Sequence, residues 1–177
     1  MNEPKRLLRL CYNRNPERFE PTFKSQQEAK YRFITEKIGP PESGLVLDLG
    51  SGINLFRHYS NWPTIGLDFA DNLLLFSRSQ DPDAPLVLAD MDHLPFKDRS
   101  FSLIVGVTVI IDRTPIEVLG LLGEIRRVLK PAGSVILTIL EKELTEELCD
   151  VIRRGPLNLS EEFPCENDRY FHLIHLE

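Results

Sequence analysis

The chain has 177 residues but only three cysteines and one tryptophan, and no apolar run near the roughly 20 residues that would cross a bilayer. Cys11, Cys149 and Cys165 are odd in number and far apart, which fits neither a disulfide framework nor paired metal-ligand spacing. Buried or incidental thiols are expected. Histidine is scarce too. His58 and His93 stand alone, and His172 and His175, three apart beside a strand-like tail, would face opposite sides of it. No metal site is therefore expected. The first twelve residues carry Lys5, Arg6 and Arg9 but lack the apolar core of a signal peptide, so a cytoplasmic protein with no membrane attachment is expected. Ordinary proportions of hydrophobic (42%) and charged (27%) residues exclude the disordered and fibrous classes.

What is present fits a single domain over 1–177, long enough to bury about 70% of its extended surface. The net charge of −6 is uneven. Residues 1–32 hold eight Lys/Arg against four Glu, so a basic arm precedes an acidic body. The acidic body disfavours extended nucleic-acid binding. The arm could meet a partner protein, RNA or an anionic acceptor, although a solvated helix face is the plainer expectation.

Apolar spacing predicts a helix over 25–38, with Tyr31, Ile34 and Ile38 on one stripe and Gly39-Pro40-Pro41 as its stop. Pro16 and Pro21 are expected to break the segment before it. Short apolar strands are predicted at 45–49, 64–68, 85–89, 101–109 and 134–140. Helices are predicted at 71–78 (with Asp71 as N-cap), 115–129 and 143–153, and Lys130 to Gly133 reads as a turn. The tail holds a strand over 170–176 and a second near Leu157. Strands alternating with helices imply an α/β fold: a Rossmann-like, doubly wound, mainly parallel seven-stranded sheet with an antiparallel C-terminal strand. Its parts are a helical lid segment (1–44), a core (45–140), and a C-terminal helix with strands (141–177). Ligands on such sheets bind beyond the carboxyl ends of the strands, where this chain places Asp48, Gly50-Ser51-Gly52, Asp68, Asp90 and the segment after Val109.

A strand entering a glycine turn is a nucleotide-type signal, and Asp68 follows at the distance of an acid that grips ribose hydroxyls. A dinucleotide would want a third glycine at 55, where Leu55 stands, and little negative charge near a pyrophosphate. Asp48, Asp68, Asp90 and Asp92 suit a cationic ligand better, and S-adenosylmethionine carries a sulfonium and an ammonium.

VLDLGSGIN (46–54), GLDFADNLL (66–74), ADMDHLPFKDRSFSLIV (89–105) and LGEIRRVLKPAGSVILTIL (122–140) resemble, in order, the motifs of class I S-adenosylmethionine-dependent methyltransferases of the type 11-like kind. The resemblance spans Leu45 to Leu140 and implies the cofactor and its binding residues. Asp48 and the Gly50, Ser51 and Gly52 backbone would hold the methionine end, with Asn54 where the family has its third glycine. Asp68 would grip the ribose and Phe69 flank the adenine. Asp90 would bond the adenine amino group, with Met91 beside the ring and Val107 at the end of strand four. Ser102 replaces an acid usual in the family, and Val109 to Thr114 carries no familiar acceptor box. Asp112, just past strand four, is the candidate catalytic base. Tyr12, Tyr31, Phe19 or Phe23 of the arm would close over the acceptor. The expected function is methyl transfer to an acceptor, small molecule or macromolecule, that the sequence does not identify. The alternatives are a non-catalytic cofactor- or partner-binding module and a nicotinamide-dependent oxidoreductase.

Overall fold

A computed structural model describes residues 3–41 and 43–176, the side chains of residues 19–23 and 165 excepted. The predicted roles of the Phe19 and Phe23 side chains and of the Cys165 thiol lie outside the described residues. Strands β1 (Leu45–Leu49), β2 (Thr64–Asp68), β3 (Leu86–Leu88), β4 (Phe101–Val107), β5 (Leu129–Leu140), β6 (Asn158–Cys165) and β7 (Asp168–Ile174) form one seven-stranded sheet, ordered β3-β2-β1-β4-β5-β7-β6. The first five pair in parallel, and β7 runs antiparallel between β5 and β6. Strand order reverses at β1 and β4, so a crevice opens between their carboxyl ends.

The helices are α1 (Glu3–Arg14), α2 (Phe19–Ile38), α3 (Leu55–Ser60), α4 (Asp71–Gln80), α5 (Pro115–Val128) and α6 (Glu146–Arg154). Alternate strand residues feed two cores, as strands covered on both faces require. Leu47, Ile104, Val135 and Leu137 pack with Val118, Leu121, Ile125, Leu148 and Ile152 of α5 and α6. Val46, Leu103, Val105 and Ile136 pack with Tyr31 and Ile34 of α2 and Phe56 of α3. Helix α5 opens on a full capping box, Thr114 with Glu117, and places Pro115 in its first turn, where no N–H is needed. No described helix is long and apolar enough to cross a membrane.

Several boundaries differ from the sequence expectation. Pro16 separates α1 from α2 by opening a 3-10 turn, but Pro21 breaks nothing. It is the third residue of α2, in the first turn where helical N–H groups have no intrahelical partner. Asp71 is not an N-cap. Ala70 has the extended backbone of the cap, and Asp71 is the first helical residue, where a carboxylate still favours the positive helix end. Helix α6 starts later than predicted, because the Thr145 hydroxyl accepts from the Leu148 N–H and caps it. Residues 130–133 form a bulge inside β5, not a turn before it: Phe101 faces Leu129, and Leu103 faces Ser134. His175 holds the bulge through the Ala132 N–H and the Gly133 carbonyl. Strand β4 ends at Val107 because Thr108 takes a left-handed φ of 57°.

Candidate functional site

The carboxyl ends of β1 to β4 surround a cavity of about 410 Å³. Gly50, Ser51, Gly52, Asp68, Phe69, Asp90, Met91, Val107 and Asp112 all line it, so the fold gathers nine of the eleven residues singled out above. Tyr12 and Tyr31 line it too.

The glycine turn explains its own composition. At Gly50, φ is 74° and a Cβ would lie 2.5 Å from Val109 Cγ1, so only glycine fits. The N–H groups of Gly50 and Ser51 both donate to the Leu67 carbonyl, at 2.8 and 2.9 Å. The Gly52 N–H donates to Asp68 Oδ2 at 2.9 Å, and the Asn54 N–H to the Ser51 carbonyl at 2.7 Å. These four amides are thus consumed inside the fold, and α3 behind them is only six residues long. A pyrophosphate needs such amides free and pointing outward.

Asn54 occupies the third-glycine position with φ 65°, a conformation asparagine tolerates better than most residues. It is fully buried and absent from the cavity wall. Its Oδ1 faces Gly66 from behind the turn, 3.0 Å from where a Cβ would stand. It therefore shapes the turn without entering the cavity. Asp48 also lies beneath the wall, 2% exposed, with Oδ2 lacking a hydrogen-bond partner.

Burial, with the Asp68 carboxylate nearby, pushes the Asp48 carboxyl up to about 8. Burial raises the Asp68 carboxyl as well, opposed by the N–H groups of Ala70 and Gly52. Asp68 Oδ1 accepts from the Ala70 N–H at 2.8 Å, so both carboxylate oxygens are held by backbone donors. Tyr31 is held well above the usual phenol range by its burial, then by Asp48.

Asp112 is exposed, has φ 49°, and donates its N–H to Glu143 Oε2 at 3.1 Å. That contact holds the loop after β4. Beside it Thr108, a cavity residue missed in the sequence, joins a buried polar cluster. Its hydroxyl accepts from Lys30 Nζ and donates to Asp168 Oδ2, each at 2.8 Å, and Lys30 pairs with Asp168 at 2.8 Å. A non-glycine residue in left-handed backbone was invisible beforehand. So were Lys5 and Arg113, which converge from elements far apart in the chain. Lys5 of α1 contacts both Asp90 and Asp92, and Arg113 meets Asp92 from the loop after β4. Tyr12 of α1 lies edge-on to Phe69, ring centroids 6.4 Å apart.

Fold and site define a doubly wound α/β protein with a cavity over the β1/β4 switch point, lined by acids and without a phosphate-binding nest. A family model described as a methyltransferase domain matches residues 47–137, and the chain belongs to that family. It is 35% identical over 111 residues to an uncharacterized protein of Methanocaldococcus jannaschii, covering 62% of this chain and 47% of that one. It is 25% identical over 154 residues to the malonyl-[acyl-carrier protein] O-methyltransferase of Yersinia pestis, covering 84% of this chain and 55% of that one. The chain thus spans about half the length of the curated relatives it matches. Its fold matches the Burkholderia thailandensis 1,6-didemethyltoxoflavin-N1-methyltransferase, whose crystal structure holds 1,6-didemethyltoxoflavin and S-adenosylhomocysteine. The TM-score is 0.77 at 14% identity, over 99% of this chain and 90% of that one.

Proposed function

We propose that this protein binds S-adenosylmethionine in the cavity and transfers its methyl group to an acceptor entering beside the loop after β4. The observation that carries the reading is the glycine turn. Its amides are spent on Leu67, Asp68 and Ser51, while two buried acids, Asp48 and Asp68, stand around it. That combination suits a ligand with an ammonium, a sulfonium and ribose hydroxyls, and offers a pyrophosphate no free amide donors.

Asp68, on the cavity wall at the end of β2, accepts from the ribose hydroxyls. Asp48 lies beneath the wall at the same turn, and the positive charge of a methionine ammonium above it would favour its ionised form. Phe69 and Met91 wall the adenine, and Asp90 takes its amino group. When bound, S-adenosylmethionine supplies a methyl group already activated by its sulfonium. The chain's remaining work is to align the acceptor about 3–3.5 Å from that carbon and to exclude water. Tyr12, Leu8 and Tyr31 shield the cavity from the α1 and α2 side. Where the acceptor arrives protonated, Asp112 at the cavity edge accepts its proton.

Thermal unfolding with S-adenosylhomocysteine, S-adenosylmethionine and NAD tests the reading. Both adenosyl ligands should raise Tm by mass action and NAD should not. Equal shifts from all three, or none from any, would overturn it. Binding without transfer to any acceptor screened would leave a cofactor-binding module in its place.

A further inference from the structure

Helix α1 has no buried residue, yet it lies across the cavity mouth and contributes Pro4, Lys5, Leu8 and Tyr12 to its wall. Polar contacts at its two ends hold it there. At the C-terminal end Arg9 and Asn13 bond Asp71 Oδ1, at 2.8 and 2.6 Å. Asn13 also accepts two hydrogen bonds of 2.9 Å from Asn72, its Oδ1 from the backbone N–H and its carbonyl from the side-chain amide. At the N-terminal end the Lys5 ammonium lies 2.9 Å from both oxygens of Asp90 and also contacts Asp92. A helix of twelve residues is about 18 Å long, enough to strap the mouth from α4 to the segment after β3.

We infer that Lys5 is an internal ligand of the cofactor site: its ammonium holds the Asp90 carboxylate that the adenine amino group would take, and cofactor entry exchanges one donor for the other. This rests on the reading of Asp90 given above. Both donors are N–H groups seeking the same two oxygens. Asp90 Oδ1 is filled by the Asp92 N–H at 3.1 Å and by Lys5, and the Lys5 ammonium, itself on the cavity wall, straddles both oxygens on the side from which the adenine amino group would come. Arg113 keeps Asp92 neutralised after the exchange, so departure of Lys5 does not leave two bare carboxylates side by side. The anchors on Asp71 and Asn72 retain α1 while its other end lets go, and Leu8 and Tyr12 stay near the ligand. The closed strap is thus both a cover for the bound cofactor and a competitor for its adenine end.

Calorimetric titration of the full chain with S-adenosylhomocysteine tests this. That ligand carries no sulfonium, and its ammonium and carboxylate meet the same residues in every variant, so a difference in salt response between variants reports the Lys5 ion pairs. Lys5→Ala should bind it roughly twofold to fivefold more tightly, the range for removing one part-exposed ion pair as competitor. Lys5→Arg, which keeps the competing cation, should bind as the wild type does. Raising the salt concentration should narrow the gap in affinity between the wild type and Lys5→Ala, because it weakens the competing ion pair present only in the wild type. Equal or weaker binding by Lys5→Ala would show that Lys5 supports the cofactor or is indifferent to it, and would overturn the inference. Failure of every variant to bind the ligand would instead bring down the cofactor reading itself, and the inference with it.

Discussion

Burial of the Asp48 carboxyl works against the stability of the fold. In an unfolded chain the carboxyl ionises near 4, whereas burial beside Asp68 holds it near 8 in the folded protein. Between those values the folded state binds the extra proton, so rising pH draws the equilibrium toward the unfolded chain. This group's penalty is absent below about pH 4, grows through the neutral range, and levels off above about pH 8 at a size on the order of 5 kcal/mol. Asp48→Asn removes the titration. Its Tm should exceed that of the wild type by a margin that widens from pH 5 to pH 8 and then stays constant. A margin that does not change with pH would mean that Asp48 is ionised throughout in the fold. The neighbouring glycines and Asp68 could be read in the sequence because their spacing is local. Asn54 could not be assigned a direction, because only the packing of the turn against Gly66 points its amide away from the cavity.

At the scale of elements, strands were legible because apolar runs such as Leu45–Leu49 and Thr64–Asp68 must be buried on both faces. Helix beginnings were less so. Thr114 followed by Pro115 and Glu117 announces its helix, but Ala70 caps α4 without a side-chain bond, and Pro21 sits harmlessly inside the first turn of α2. The basic arm divides into two unlike pieces. Helix α2 buries Tyr31 and Ile34 in the core, whereas α1 buries nothing. Removing residues 1–15 should therefore leave thermal unfolding cooperative, with Tm lowered by no more than about 4 °C, the size of a loss near 1 kcal/mol in a domain of this length. A broad or vanished transition in the truncated chain would make α1 part of the core.

Over the whole molecule, charge separated along the chain is rejoined in space. The arm is basic and the body acidic, and Lys5, Arg9 and Lys30 pair with Asp90 and Asp92, Asp71 and Asp168. These pairs account for part of the arm's charge inside the protein itself. Lys30 and Asp168 are 4% and 0% exposed, and with Thr108 and Thr138 they tie α2 to β4, β5 and β7. Breaking a buried pair strands a charge, so Lys30→Met should cost about 3–5 kcal/mol in urea unfolding, and adding Asp168→Asn should recover a good part of it. A double variant as unstable as Lys30→Met alone would show that packing around Lys30, not its charge, holds these elements together. The sequence by itself determined the alternation of strands and helices, the turn after β1 and the acids at the strand ends, because each depends on neighbours a few residues apart. Only the tertiary structure decided which acids face the cavity, which lie beneath it, and which are already held by a lysine more than eighty residues away. Charge pairing at that separation depends on where the folded backbone brings the side chains, and no local spacing encodes it.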